Sequence, residues 1–321
     1  RDGALAGVIV HGKSGFGLYR ARVLIDATGD ADVAALAGVP TNLGSEDDGA
    51  MKPPTLMFRI GGIRLTKDRI WAAWPREEAE GAGGVGCWLM AMPRPGEYAV
   101  NSPTGILGFD ATKTEHLSQA QALANRQVWR KLELLRKHVD GCQDAVLLSI
   151  APQLGLRDSR RIVGDYILTE DDVLKSVKFP DGIANGVHPI DLHIKSARYQ
   201  DRNLVLTPCG DYYQIPYRCM LPRGVENLLV AGRSVSATFL AQGSLRVMAT
   251  CMGMGQAAGT AAALSVRQQI TPRMLKPDAL RALLREQGAY LGYEDEVPAW
   301  NQGGAPVPAA RHLSYRGRSE A

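Results

Sequence analysis

The sequence predicts an α/β chain, α+β overall: two apolar strands run into glycine turns, one toward each end, and a segment of mixed antiparallel strands and helix is inserted between them. Residues 19–25 (YRARVLI) lead into Asp26-Ala27-Thr28-Gly29-Asp30, and residues 227–231 (NLLVA) lead into Gly232-Arg233. A strand, a glycine turn and a following helix make an α/β unit. Between them, residues 116–139 are the clearest helix. Ala124, Val128, Leu132, Leu135 and Val139 recur at helical spacing, with Arg126, Arg130, Lys131, Glu133, Arg136 and Lys137 in the intervals.

In chain order, residues 5–10 and 19–25 are β-rich runs on either side of the glycine-loaded stretch 11–17, which reads as a hairpin. Asp30 stands where it can cap a short helix running through Ala37, with Gly38 and Pro40 as stop signals. Residues 41–62 lose this order, through the acidic Ser45-Glu46-Asp47-Asp48 loop and Pro53-Pro54, before the weak alternation of 55–60; a crossover between domains is expected here. Residues 75–105, rich in Gly and Pro, and 146–218 are expected to be short strands and loops. The last amphipathic helix, 276–291, uses Leu280, Leu283 and Leu284, and the tail from Gly303 is expected to fray. The expected domains are 1–45, 46–218, 219–270 and a C-terminal helix and tail at 271–321.

Composition narrows the function. A chain of 321 residues suggests about two domains, and 45% apolar with 22% charged residues is enough for a folded core. A net charge of +4 over this length is too slight to demand nucleic acid or an anionic membrane, and leaves anionic small ligands open. The five cysteines lack a C-x-x-C spacing, so neither a zinc site nor a disulfide framework is expected, and the setting reads as a reducing cytoplasm. The chain opens at Arg1 with no secretory leader, so the natural N-terminus is expected upstream. Residues 247–266 carry no charge and approach the ~20 residues of a membrane span. Their Ala, Gly, Met and Thr, with a central Gln256, carry little insertion energy, so they read instead as a helix packed on all sides.

Three segments carry candidate chemistry. In the first, Thr28 and Gly29 allow a ligand to approach the main chain, glycine because it has no Cβ; the plain alternative is an ordinary strand-to-helix turn. In the second, Gly232 turns the chain and Arg233 is set to meet anionic oxygen, or simply to close a strand-end turn. In the third, residues 243–259, Gly253, Gly255 and Gly259 do not form G-x-G-x-x-G, so this is not a dinucleotide fingerprint. A helix opening at Met254-Gly255-Gln256-Ala257 would aim its amide end at whatever precedes it, a favourable place for negative charge.

The words IDATGDADVAALAGVP, KPPTLMFRIGG, IAPQLGLRDSRRIVGDYILTEDDVL, YQIPYRCMLP and NLLVAGRSVSATFLAQGSLRVMATCMGMGQAAGTAAAL resemble the FAD-dependent oxidoreductase family of the glutathione-reductase structural class, from about Gly3 to Leu291. The RDSRRIVGDY and SLRVMATCMGMGQAAGTAA words are the most particular. The resemblance implies a partial FAD-binding Rossmann-like domain with an inserted substrate or cap domain, FAD as cofactor and hydride transfer to or from a small molecule. It places Thr28, Gly29 and Asp30 by the nucleotide part of FAD, Gly232 and Arg233 by the ribityl phosphate, and Gly255, Gln256 and Ala257 facing the flavin ring, whose N1/C2 carbonyl edge gains negative charge on reduction. Such proteins open with a strand, a G-x-G-x-x-G turn and a helix, absent from this sequence, so it resembles the family's C-terminal portion.

Arg157, Arg160 and Arg161 can bind a substrate carboxylate, or form a salt-bridged surface turn with Asp158 and Asp165. His188 and His193 are acid–base candidates or structural histidines. Tyr217 and Arg218 are similar candidates, and Cys251 is redox-active or a small buried thiol. The expected partner is a small molecule, with no nucleic acid, no membrane and no metal. A flavin-incompetent binding fragment is the competing class. Carbohydrate processing would need the five dispersed tryptophans gathered by folding, and RNA modification a basic stripe that Arg126, Arg130, Lys131, Arg136 and Lys137 explain more simply as a solvated face.

Overall fold

The computed structural model describes residues 3–193, 203–206, 208 and 212–292, and the frayed tail expected from Gly303 lies outside them. Among the described residues it is a mixed α/β structure with several small sheets and six α-helices. The chain divides into two compact units, one made of residues 1–40, 162–191 and 205–321, the other of 41–161 and 192–204.

In the first unit, strands Leu24–Asp26 and Leu228–Val230 run parallel, with Leu24 opposite Leu228 and Asp26 opposite Val230. Leu24, Ala31, Ala34, Val39, Ile162, Val225, Leu228 and Val230 form the core around this pair. The expected hairpin is present but tighter than its glycines suggested. Val8–Gly12 pairs with Gly15–Tyr19 around a Lys13-Ser14 turn, so most of the presumed loop belongs to the ladder. The run 19–25 is accordingly split, and only its end joins the parallel pair.

The helix expected to open at Met254 spans Met248–Gln268. Gly255, Gln256 and Ala257 therefore lie two turns inside it, where amides bond along the helix rather than to a ligand. Nor is it packed on all sides: Thr250, Met254, Ala257, Ala258, Ala261 and Ser265 are buried, whereas Met248 and Met252 face water. No helix among the described residues is long and apolar enough to cross a membrane.

The second unit is a five-stranded antiparallel sheet with one long helix. Strands Arg69–Ala73, Gly86–Ala91, Tyr98–Asn101, Phe58–Gly61 and Val146–Ile150 lie side by side in that order. Alternation sends Ala72, Cys87, Leu89, Tyr98, Val100, Phe58 and Ile60 into the core. The helix Thr114–His138 contributes Ala124, Val128, Leu132 and Leu135 of the stripe read from the sequence to the same core, with Ala120 added, while Val139 of that stripe lies just past the helix and packs against the core half-buried. Each such leucine adds roughly 1.5–3 kcal/mol by leaving water.

Candidate functional site

The best-developed polar site grows from the ends of the parallel strands, where an α/β fold habitually receives ligands. Asp26 closes its strand as a buried carboxylate and must be satisfied internally. One oxygen accepts from the Thr28 amide at 3.0 Å and the Thr28 hydroxyl at 2.7 Å; the other accepts from the Ala34 amide at 2.9 Å. Thr28 Oγ1 in turn accepts from the Asp32 amide at 3.0 Å. These bonds cap the helix Asp32–Leu36, and Asp30, expected to cap it, does not.

Asp30 instead receives Arg233 Nη2 at 2.8 Å, joining the two turns singled out in the sequence. The guanidinium packs over Gly29, whose φ is +84°, and a Cβ there would meet Arg233 at 2.8 Å. A side chain at position 29 would therefore be strained and would also displace the arginine. Gly232 has a φ of +97° and open space where a Cβ would stand. Arg233 Nε and Ser234 Oγ are buried and have no hydrogen-bond partner among the described residues. The main chain is anchored just beyond, with Gln242 Nε2 donating to the Arg233 carbonyl at 3.4 Å. The result is a positioned cation, an orphaned hydroxyl and a half-buried glycine turn with open space beside it, a donor set suited to anionic or carbonyl oxygen.

Cys251 is half-buried, and its Sγ lies 3.7 Å from the Leu245 carbonyl. Burial pushes its thiol up, while Arg233 and Arg246 pull the other way. No group of His, Cys, Asp and Glu side chains suited to a metal ion occurs among the described residues.

The other sequence candidates do not join this cluster. Arg161 is buried, not part of a surface turn: it donates to Asp158 at 3.3 Å, the Gly44 carbonyl at 2.8 Å and Glu46 at 2.9 Å. Asp158 also faces the buried Lys52 ammonium at 3.8 Å, and Asp165 pairs with Arg273. Arg157 donates to the Pro53 carbonyl at 2.8 Å, and Arg160 is half-buried on strand Arg160–Ile162. His188 contacts the Pro189 carbonyl through Nδ1 at 2.7 Å, while its own carbonyl accepts from Ser244. The backbone of His193 ends a strand. Tyr217 donates its hydroxyl to the Pro272 carbonyl at 3.0 Å, and burial pushes that phenol well up, a structural setting. Arg218 is held bidentately by Asp181 at 2.9 and 3.1 Å. Gln256 meets Gln287 at 3.2 Å.

Sequence reasoning assigned no role to Asp26 or Ser234. The signal for Asp26 was a lone carboxylate at the end of an apolar strand, which burial obliges to organise the turn after it; nothing in the sequence marked Ser234.

Comparison with known proteins gives one family model, described as FAD dependent oxidoreductase, matching residues 1–284. No curated protein matches the chain. Among solved structures, the chain is similar to MibH, described as a lathipeptide tryptophan 5-halogenase, with 12% identity and a TM-score of 0.33. That likeness covers 89% of this chain and 36% of the other, so the chain spans about a third of the length of that protein.

Proposed function

The chain belongs to the FAD dependent oxidoreductase family, and from that premise we propose that it passes a hydride between a small-molecule substrate and flavin. FAD is the cofactor of the family and, when bound, supplies the redox chemistry; the chain supplies position and charge. The proposal assigns the nucleotide part to Thr28, Gly29 and Asp30 and the ribityl phosphate to Gly232 and Arg233.

One observation carries it. Arg233 is tied to Asp30 on one side yet keeps a buried Nε without a partner, beside an orphaned Ser234 hydroxyl and the open turn at Gly232. Leaving a buried donor unsatisfied costs about 1–3 kcal/mol, which an incoming oxygen acceptor would recover. The residues present therefore fit a phosphate or carbonyl group of the cofactor.

The finer reading places the fold in the glutathione-reductase class, with 1–45 and 219–270 as the Rossmann-like flavin part and 46–218 as the cap and substrate part. Arg157 and Arg160 are proposed to meet substrate oxygen, and His188 to move a proton. Tyr217 is not carried forward, because its hydroxyl is committed to a main-chain carbonyl away from solvent. Facing of the flavin by Gly255, Gln256 and Ala257 now rests on the sequence words alone.

The test is an equilibrium titration with FAD, followed by quenching of flavin fluorescence. The chain is expected to bind, and Arg233→Met to weaken binding by about tenfold or more while circular dichroism stays unchanged, since charge-assisted hydrogen bonds are worth about 1.5–3 kcal/mol. A chain that leaves FAD in free solution would overturn the reading; unchanged affinity in Arg233→Met would overturn the assignment of Arg233.

A further inference from the structure

The tryptophans at 71, 74, 88, 129 and 300 are scattered along the sequence, but folding brings two of them together, edge against face. Trp71 and Trp88 are direct cross-strand partners on Arg69–Ala73 and Gly86–Ala91, with ring centroids 5.3 Å apart and planes at 65°. Alternation turns Ile70, Ala72, Cys87 and Leu89 toward the long helix and leaves Arg69, Trp71, Trp88 and Met90 on the other face of the sheet.

Three features make this more than a stray aromatic pair. Trp71 is 47% exposed although it is one of the largest apolar side chains in the unit. Its indole lies over the bare main chain of Gly86, where a Cβ would stand 2.6 Å from the ring. Glycine at the start of that strand thus makes room for the indole to lie against the sheet. Finally, the Arg69 guanidinium lies over the Trp88 ring, with its central carbon 4.4 Å from the ring centroid. A cation–π contact of this kind holds the guanidinium by its charge and leaves N–H donors available for bidentate recognition.

Charge decides what such a surface accepts. Arg59, on the same sheet face, is neutralised by Glu97 at 2.5 Å. Among the described residues no carboxylate lies within ion-pairing distance of Arg69. The face therefore combines an indole platform with one uncompensated, pre-oriented cation.

We propose that this face binds a six-membered ring bearing a carboxylate, the ring resting on Trp71 and the carboxylate taking the fork of Arg69. The ring belongs either to a sugar acid, stacked through its C–H face, or to an aromatic acid, since both present the same ring-plus-carboxylate outline. This goes beyond the flavin reading and does not depend on it.

The full chain labelled with 5-fluorotryptophan offers a direct test by fluorine NMR, with Trp71 and Trp88 assigned through Trp71→Phe and Trp88→Phe. Glucuronate and benzoate are titrated separately, each against its uncharged counterpart, glucose and benzamide. At least one acid is expected to shift the Trp71 and Trp88 resonances and leave the other three in place; which acid does so identifies the source. Arg69→Met should weaken that binding about tenfold or more, the loss of a charge-assisted bidentate contact, with the Trp74 and Trp129 resonances reporting an intact fold. The proposal is overturned if neither acid shifts the pair, if the uncharged analogues bind equally well, or if Arg69→Met binds like the parent. It is also overturned if the pair shifts on simple dilution, because a second copy of the chain would then occupy the face.

Discussion

Two charged clusters, one in each unit, differ in how completely their polar atoms are satisfied. In the second unit Asp158, Arg161 and Lys52 are all buried, and Arg161 reaches Asp158, Glu46 and the Gly44 carbonyl. In the first, Arg233 has Asp30 on one side and an unpartnered buried Nε on the other. Burying charge is costly, and a protein that uses it only for architecture closes every donor and acceptor. The incomplete cluster is the one with a buried donor left open, although the sequence made RDSRR look at least as chemical as AGR.

The largest effect should come from breaking the complete cluster. Asp158→Ala removes the carboxylate shared by Arg161 and Lys52 and leaves two buried cations short of a counter-charge, a change that typically costs about 3–5 kcal/mol. Chemical denaturation should show that loss. A change below about 1 kcal/mol would mean that the cluster is not architectural and would dissolve the contrast.

Lys131 sharpens the contrast as a buried cation with much poorer compensation. It projects from the long helix into the core, its ammonium donating to the Pro103 carbonyl at 3.0 Å, and burial brings it down from 10.5 to about 8. Neighbouring Cys87 offers no counter-charge near neutrality, because burial pushes its thiol up to about 12. With the folded value depressed, the unfolded chain binds more protons between about pH 8 and 10.5, so this group's contribution to stability rises with pH across that window. Below it the full penalty applies, about 3 kcal/mol. Lys131→Met should therefore gain about 2 kcal/mol at pH 7, after ~1 kcal/mol lost with the Pro103 hydrogen bond, and the gain should vanish toward pH 10. Stability measured at several pH values checks it; a gain that grows with pH would reverse the sign and refute the account.

These cases show what the sequence could and could not convey. The long helix was legible because its stripe repeats at one fixed period, and Leu132 and Leu135 are buried as that period requires. The strands ending at Asp26 and Val230 were legible as apolar runs stopped by glycine, but their adjacency was not, since it joins segments some two hundred residues apart. The start of the small-residue helix was misplaced because Met248, Ala249 and Thr250 carry no distinguishing cap: Val247 precedes them without a side-chain bond to the first turn. Arg161 and Arg233 look alike in sequence. Only the count of partners around each guanidinium separates architecture from a candidate site, and that count depends on tertiary neighbours.

The smallest effect tests whether the charge of Arg233 really reaches past its ion pair. Burial raises the Cys251 thiol, and Arg233 and then Arg246 draw it back; if Asp30 cancelled the guanidinium completely, removing Arg233 would leave the thiol unchanged. Arg233→Met removes the stronger of these two pulls, so the thiol should rise further and the thiolate fraction at mildly alkaline pH should fall. Alkylation depends on the thiolate, so the labelling rate of the peptide carrying Cys251, followed by mass spectrometry, should drop a few-fold. The buried Cys87, Cys142 and Cys219 serve as unreactive internal references. An unchanged rate would mean that Asp30 already neutralises the guanidinium, and the first unit's cluster would then be as closed electrostatically as the second's.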